Sequence, residues 1–125
     1  MAQWIAACEV HDVEPEDVIP FQHDGVDYAI YRSPDDEFFA TAGHCTHEQT
    51  LLCDGLVMDH IIECPKHNGR FDYRTGQAKG APVIVDLQAY PVKVEAGNVY
   101  IDIERSAPNR TSPDKPSKRE RRAAS

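Results

Sequence analysis

Between His44 and Phe71 the chain reads HCTHEQTLLCDGLVMDHIIECPKHNGRF, gathering three of its four cysteines and four of its six histidines. Thiolate and imidazole are the side chains best suited to soft and borderline transition metals, so a metal centre is the first chemistry to consider. Reduced to its potential ligands, the stretch is Cys45-x-His47, sixteen intervening residues, then Cys64-x-x-His67. Each half supplies one sulfur and one ring nitrogen. Residues at i and i+2 of an extended chain share a face, so Cys45 and His47 can point into one site, and Cys64 and His67 can do the same from a turn.

The order of ligand types bears on the metal. A structural Cys2His2 zinc finger keeps like ligands together, as C-x2-4-C and H-x3-5-H; here they alternate, and one gap is a single residue. A Rieske [2Fe-2S] centre takes two cysteines on one iron and two histidines on the other, which two loops giving one of each satisfy symmetrically. Zinc is the poorer fit, and a disulfide is disfavoured in a reducing compartment. Both stay open as alternatives.

What must position these loops is an all-β framework. Short segments rich in β-branched and aromatic residues recur between turn residues. The expected strands are Val18 to Phe21, Val26 to Tyr31, Glu37 to Ala42, Gly55 to Met58, Ile61 to Glu63, Arg70 to Tyr73, Val83 to Leu87, Tyr90 to Glu95 and Val99 to Ile103. Turns are expected at His23-Asp24-Gly25, Ser33 to Asp36, Asp59-His60, Thr75-Gly76 and Gly97-Asn98. Glu9 to Asp17 suggests one short helical turn with Pro15 near its start. Small antiparallel sheets then carry the cysteines and histidines on two loops at one end.

The bulk properties exclude several functions. The 125 residues suit one domain. No stretch approaches the roughly 20 apolar residues that span a bilayer, and no Gly-rich phosphate loop appears. The apolar run Trp4 to Cys8 is too short for a secretory core and has no basic residue before it, so a cytoplasmic protein is expected. Residues 1 to 105 carry 7 Lys+Arg against 19 Asp+Glu, a balance of −12, whereas residues 106 to 125 carry 6 against 2, a balance of +4. An acidic globule repels phosphate backbones, which argues against nucleic acid, and attracts basic protein surfaces. Residues 106 to 125, with three prolines and few apolar side chains, are expected to be a disordered basic tail on a 1–105 domain.

The stretch CTH, then CPKHNGRFDYRTG, with Gly80-Ala81-Pro82 close behind, resembles the soluble Rieske-type ferredoxins that feed electrons to bacterial ring-hydroxylating oxygenases. The resemblance covers residues 3 to 104. It implies a small cluster-binding subdomain on a larger basal β domain, with a [2Fe-2S] cluster held by Cys45 and Cys64 on the inner iron and His47 and His67 on the outer, near the surface. Members of the wider family in respiratory complexes add a disulfide between the cluster loops; the matching positions here are Thr50 and Lys66, so that bridge cannot form. Those members also direct a Ser and a Tyr hydroxyl at the cluster, where this chain has Gly69 and Phe71. Neutral imidazoles in place of two thiolates make a cluster easier to reduce, and hydrogen bonds to sulfur raise the potential further. With the first effect and without the second, the midpoint is expected in the lower part of the range from about −150 to +300 mV; a titration giving more than about +150 mV contradicts this.

The remaining candidates have plainer readings. Cys53 reads as a buried thiol and Cys8 as core; His44 reads as an exposed loop residue, and His11, His23 and His60 as turn residues without chemistry. Pro65 and Asn68-Gly69 shape the second loop, Gly80 to Pro82 could cover the cluster, and Asp35, Asp36 and Glu37 read as solvated. No catalytic signature appears, and about 105 structured residues leave little room for a substrate pocket beside a cluster. The expected role is that of a monomeric one-electron carrier between a flavin-containing reductase and a terminal non-haem iron oxygenase. The alternatives are the Rieske-like small subunit of an assimilatory nitrite reductase and a zinc-binding interaction module.

Overall fold

The computed structural model describes residues 3–45, 50–65, 69–79 and 85–104. Its strands are β1 (Trp4–Glu9), β2 (Asp17–His23), β3 (Val26–Arg32), β4 (Phe38–Ala42), β5 (Leu56–Met58), β6 (Ile61–Glu63), β7 (Arg70–Asp72), β8 (Gln77–Ala78), β9 (Ala89–Tyr90), β10 (Val92–Glu95) and β11 (Asn98–Asp102). They form three antiparallel sheets, ordered β1-β11-β10, β2-β3-β4-β9 and β5-β6-β7-β8. Single 3-10 turns occupy Val10–Asp12 and Leu52–Asp54. No helix among the described residues is long and apolar enough to cross a membrane.

Strand β3 explains how the sheets stack. Successive side chains of a strand point to opposite faces, and in β3 both faces are covered. Tyr28 and Ile30 enter one core with Val13, Ala40, Val99 and Ile101; Ala29 and Tyr31 enter another with Leu52, Ile62, Phe71, Tyr73, Leu87 and both Cys45 and Cys64. The sheet containing β3 is therefore the middle layer. On one side lies the β1-β11-β10 sheet, which completes the basal domain; on the other lies the short-stranded β5-β6-β7-β8 sheet, the small subdomain.

The turn chemistry is local. Asp24 and Gly25 both adopt positive φ, 52° and 78°, between the paired residues His23 and Val26. This is the two-residue hairpin that Asp-Gly favours. At the β5–β6 turn Asp59 takes φ 57° without a glycine, and Met58 pairs with Ile61 across it as the sequence suggests.

Five expectations need correction. Trp4 to Cys8 is not merely an apolar run: it lies within β1, which pairs with β11 and carries a bulge between Ala6 and Cys8. A bulge breaks strict alternation and hides the strand from pattern reading. The helical turn expected over Glu9 to Asp17 shrinks to Val10–Asp12, and Asp17 already belongs to β2. Tyr90 to Glu95 is two strands, β9 and β10, in different sheets and separated by Pro91, which has no N–H to give a ladder. Of Val83 to Leu87, residues 83 and 84 lie outside the described residues and Val85 to Leu87 form no strand; Leu87 instead drops into the core and donates its N–H to the Gly76 carbonyl at 2.7 Å. The β10–β11 turn also sits one residue earlier than expected, at Ala96-Gly97, both with positive φ.

The β7–β8 turn is pinned by Asp72. Its Oδ1 accepts from the Arg74 N–H at 2.9 Å and from Arg74 Nε at 3.1 Å, and its Oδ2 accepts from Arg74 Nη2 at 2.8 Å. Burial opposes ionisation of this carboxyl, but the Arg74 hydrogen bonds and charge outweigh it and hold its pKa below the usual carboxylate value. A depressed folded pKa contributes stability above the unfolded value, near 3.9, and loses it as pH falls through the folded one. Arg74→Ala is expected to cost about 1 kcal/mol at pH 7, a difference from the parent chain that shrinks below about pH 4. Denaturant titrations of both proteins across pH 3 to 7 check this.

Candidate metal centre

Two of the four proposed ligands lie among the described residues, and the fold treats them alike. Cys45 stands three residues beyond β4, and Cys64 directly beyond β6. The Cys45 N–H donates to the Thr50 carbonyl at 2.9 Å, and the Cys64 N–H donates to the Gly69 carbonyl at 2.7 Å. Each cysteine thus closes a loop on the residue five positions further along. The first loop continues a short ladder, with His44 bridged to Leu51 and the Leu52 N–H donated to the Gly43 carbonyl at 2.8 Å. The second caps the β6–β7 pair at Glu63 and Arg70. Both cysteines are buried, at 1% and 0% exposure, in the core between the middle sheet and the small sheet.

His47 and His67 lie outside the described residues, as do Lys66, Asn68, Gly80 to Pro82 and the 106–125 segment. Among the described residues no group of three or more Cys, His, Asp or Glu converges to hold a metal. Cys45 and Cys64 share one core, and the sequence puts one histidine in each of the loops that they close. That donor set, two sulfurs and two ring nitrogens from paired loops, fits a Rieske cluster.

The other cysteines differ. Cys8 is half-buried against the basal core, and burial, with Asp12 nearby, pushes its thiol up to about 11. Cys53 packs partly buried against the core that holds Cys45 and Cys64, and burial raises its pKa too. Both are free thiols held protonated, as expected for core residues. His44 is less exposed than a loop-tip residue: its Nε2 lies 3.6 Å from Asp27 Oδ2, and its side chain is 38% exposed. His60 lies in the β5–β6 turn as expected, where its Nε2 is 3.5 Å from Asp35 Oδ2 and its side chain is 19% exposed. Asp35 and Asp36 are solvated, as expected.

Pattern reading missed the groups that brace this core. Tyr31 and Tyr73 stack face to face, with centroids 4.6 Å apart and planes within 3°. Gly55 lies so close to β6 that a Cβ there would fall 2.2 Å from the Glu63 carbonyl oxygen. A buried strand tyrosine looks like any other core aromatic in sequence, and only the contact shows what Gly55 avoids.

Comparison with known proteins defines the class. The Rieske [2Fe-2S] domain description matches residues 3–91, and the chain belongs to that family, whose cofactor is a [2Fe-2S] cluster. Within it, the chain is 38% identical over 102 residues to the biphenyl dioxygenase ferredoxin subunit of Pseudomonas sp. strain KKS102, a match covering 81% of this chain and 93% of that one. It is 40% identical over 101 residues to the ferredoxin component of the naphthalene 1,2-dioxygenase system of Pseudomonas putida, covering 81% and 96%. Among solved structures it resembles a chain of the complex of reduced oxygenase and oxidised ferredoxin in carbazole 1,9a-dioxygenase, with a TM-score of 0.78 and 33% identity over 83% of this chain and 96% of that one.

Proposed function

We propose that this protein is a Rieske-type ferredoxin that carries single electrons from a flavin-containing reductase to a terminal non-haem iron oxygenase, with Cys45, His47, Cys64 and His67 as ligands of its cluster. The observation that carries the reading is the pair of equivalent loops, closed by Cys45 and Cys64 over one core, in a chain whose relatives are ferredoxin components of dioxygenase systems. When bound, the cluster takes up and releases one electron. The chain supplies the two buried thiolates, a core that shuts water away from the sulfur side, and the His47 and His67 loops as the edge that partners approach. Nothing in this scheme asks the chain to bind an organic substrate.

In this reading residues 1–105 are the working unit and residues 106–125 a basic appendage, a division supported by matches that span 93–96% of the relatives but 81% of this chain. The proposed setting is the cytoplasm, whose reducing conditions keep ligand thiols available. The chain is taken to act as a monomer meeting its partners in succession, since small transient contacts suffice for electron transfer. A nitrite reductase small subunit would instead co-purify permanently with a large subunit, and a zinc module would be colourless. The test is metal and sulfide analysis of anaerobically prepared protein: iron and acid-labile sulfide in equal amounts, with a rhombic EPR signal on reduction, are expected. Zinc without sulfide overturns the proposal.

The surplus of acidic residues over 1–105 predicts steered encounters with basic partner surfaces. Raising ionic strength from about 0.1 to 1 M shortens the screening length from about 10 to 3 Å. The second-order rate of reduction by the reductase, followed by stopped flow, is therefore expected to fall by tenfold or more; a rate unchanged across that range rules out steering.

A further inference from the structure

The stacked tyrosines join two parts of the chain that the centre needs to keep in register. Tyr31 comes from β3 in the middle sheet. Its hydroxyl lies 2.8 Å from Thr41 Oγ1 on β4. Thr41 donates its own proton to the Ala42 carbonyl at 2.8 Å, so Tyr31 is the donor and Thr41 the acceptor. Four residues after Thr41 stands Cys45. Tyr73 follows β7, and its hydroxyl donates to the carbonyl of Asp59 in the β5–β6 turn. From that turn β6 runs directly to Cys64, and the Tyr73 N–H returns to the His60 carbonyl at 3.1 Å. One ring thus holds the strand that leads to Cys45, the other holds the turn that launches the strand leading to Cys64, and the rings lie flat against each other. Both are fully buried in the core that contains the two cysteines.

We propose that Tyr31 and Tyr73 act together as a positioning pair that fixes the Cys45 segment relative to the Cys64 segment. They touch neither electron partner. Two hydrogen bonds to separate segments, coupled through one rigid stack, resist the sliding of the small sheet on the middle sheet that would spread the two sulfurs apart. Deprotonation plays no part, because burial pushes both hydroxyls well above the ordinary tyrosine range. The inference rests on the ligand assignment proposed above.

The test uses the full-length holoprotein with Tyr31→Phe, Tyr73→Phe and the double substitution, each of which keeps the rings. Loss of visible absorbance with excess chelator gives the rate of cluster release, far-UV circular dichroism gives the rate of unfolding, and EPR of the reduced protein gives line widths. Each single substitution is expected to speed release about fivefold, as loss of one buried hydrogen bond warrants. The double is expected to reach no more than about tenfold, because the second hydroxyl has less to hold once the first is gone. All three should broaden the EPR lines without matching changes in unfolding rate, and Thr41→Val should reproduce Tyr31→Phe if that variant folds poorly. Release that rises only in step with unfolding, with unchanged lines, overturns the proposal. So does a double effect equal to the product of the singles, which would mean two independent bonds. A parent protein that binds no iron and sulfide would instead overturn the ligand assignment and leave the pairing of the tyrosines to be read from unfolding rates alone, where independent effects would again reject it.

Discussion

Cys64→Ala is expected to give a colourless protein that retains no iron or acid-labile sulfide and passes no electrons to an oxygenase above background. The expectation follows from how completely the fold commits this side chain. Cys64 is 0% exposed, its N–H is spent on the Gly69 carbonyl, and it stands between β6 and the loop that contains His67. Alanine there keeps the backbone bond and the loop but removes the sulfur and leaves no ligating atom in its place. Cys45→Ala should behave alike, because its burial and its bond to Thr50 are equivalent. Cys8→Ala and Cys53→Ala are the controls: both thiols are held protonated by burial, and neither closes a ligand loop. Iron and sulfide analysis of the four variants decides the matter. Full cluster content in Cys64→Ala, or its loss in Cys8→Ala with the fold intact, refutes the assignment of sulfur ligands.

The second large effect is expected from a methyl group. Gly55 immediately precedes β5 and faces β6 so closely that a Cβ would meet the Glu63 carbonyl oxygen at 2.2 Å and the Leu52 carbonyl oxygen at 3.1 Å. Both contacts are backbone. The Leu52 carbonyl already accepts the Gly55 N–H, and Glu63 is paired with Leu56 and immediately precedes Cys64. Neither atom can yield without moving the ladder that delivers the cysteine. Gly55→Ala is expected to cost about 3 kcal/mol or more, beyond the usual penalty for overpacking, and so a large part of the roughly 5 to 15 kcal/mol that stabilises a domain. Because the displaced carbonyl adjoins Cys64, cluster content should fall at temperatures where the far-UV spectrum is still native. Denaturant unfolding with parallel iron analysis would measure both; a variant of parental stability and full iron content shows that the close approach has no such consequence.

Residue types and spacing alone determined much of this protein. The proposed ligands Cys45, His47, Cys64 and His67 pointed to a Rieske centre because few centres use sulfur and nitrogen in alternating pairs, and spacing is a local property read directly from the chain. The β rhythm, the Asp24-Gly25 turn and the Asp59-His60 turn were legible for a similar reason: alternation and turn preference are written over two to eight residues. Local signals failed where the chain changed partners. Pro91 divides what reads as one strand between two sheets, the bulge in β1 hides a strand inside an apolar run, and Leu87 fills a core instead of joining a ladder.

Tertiary structure decided the rest. That β3 is buried on both faces, that Cys45 and Cys64 enter one core from different sheets and that Tyr31 meets Tyr73 are contacts between residues distant in sequence, and even the press of nearby Gly55 on Glu63 exists only once the hairpin has closed. Their energies depend on packing and on which backbone groups find partners, and a linear pattern carries neither. The sequence names the side chains proposed to hold a cluster, whereas only the folded chain brings Cys45 and Cys64 into one core.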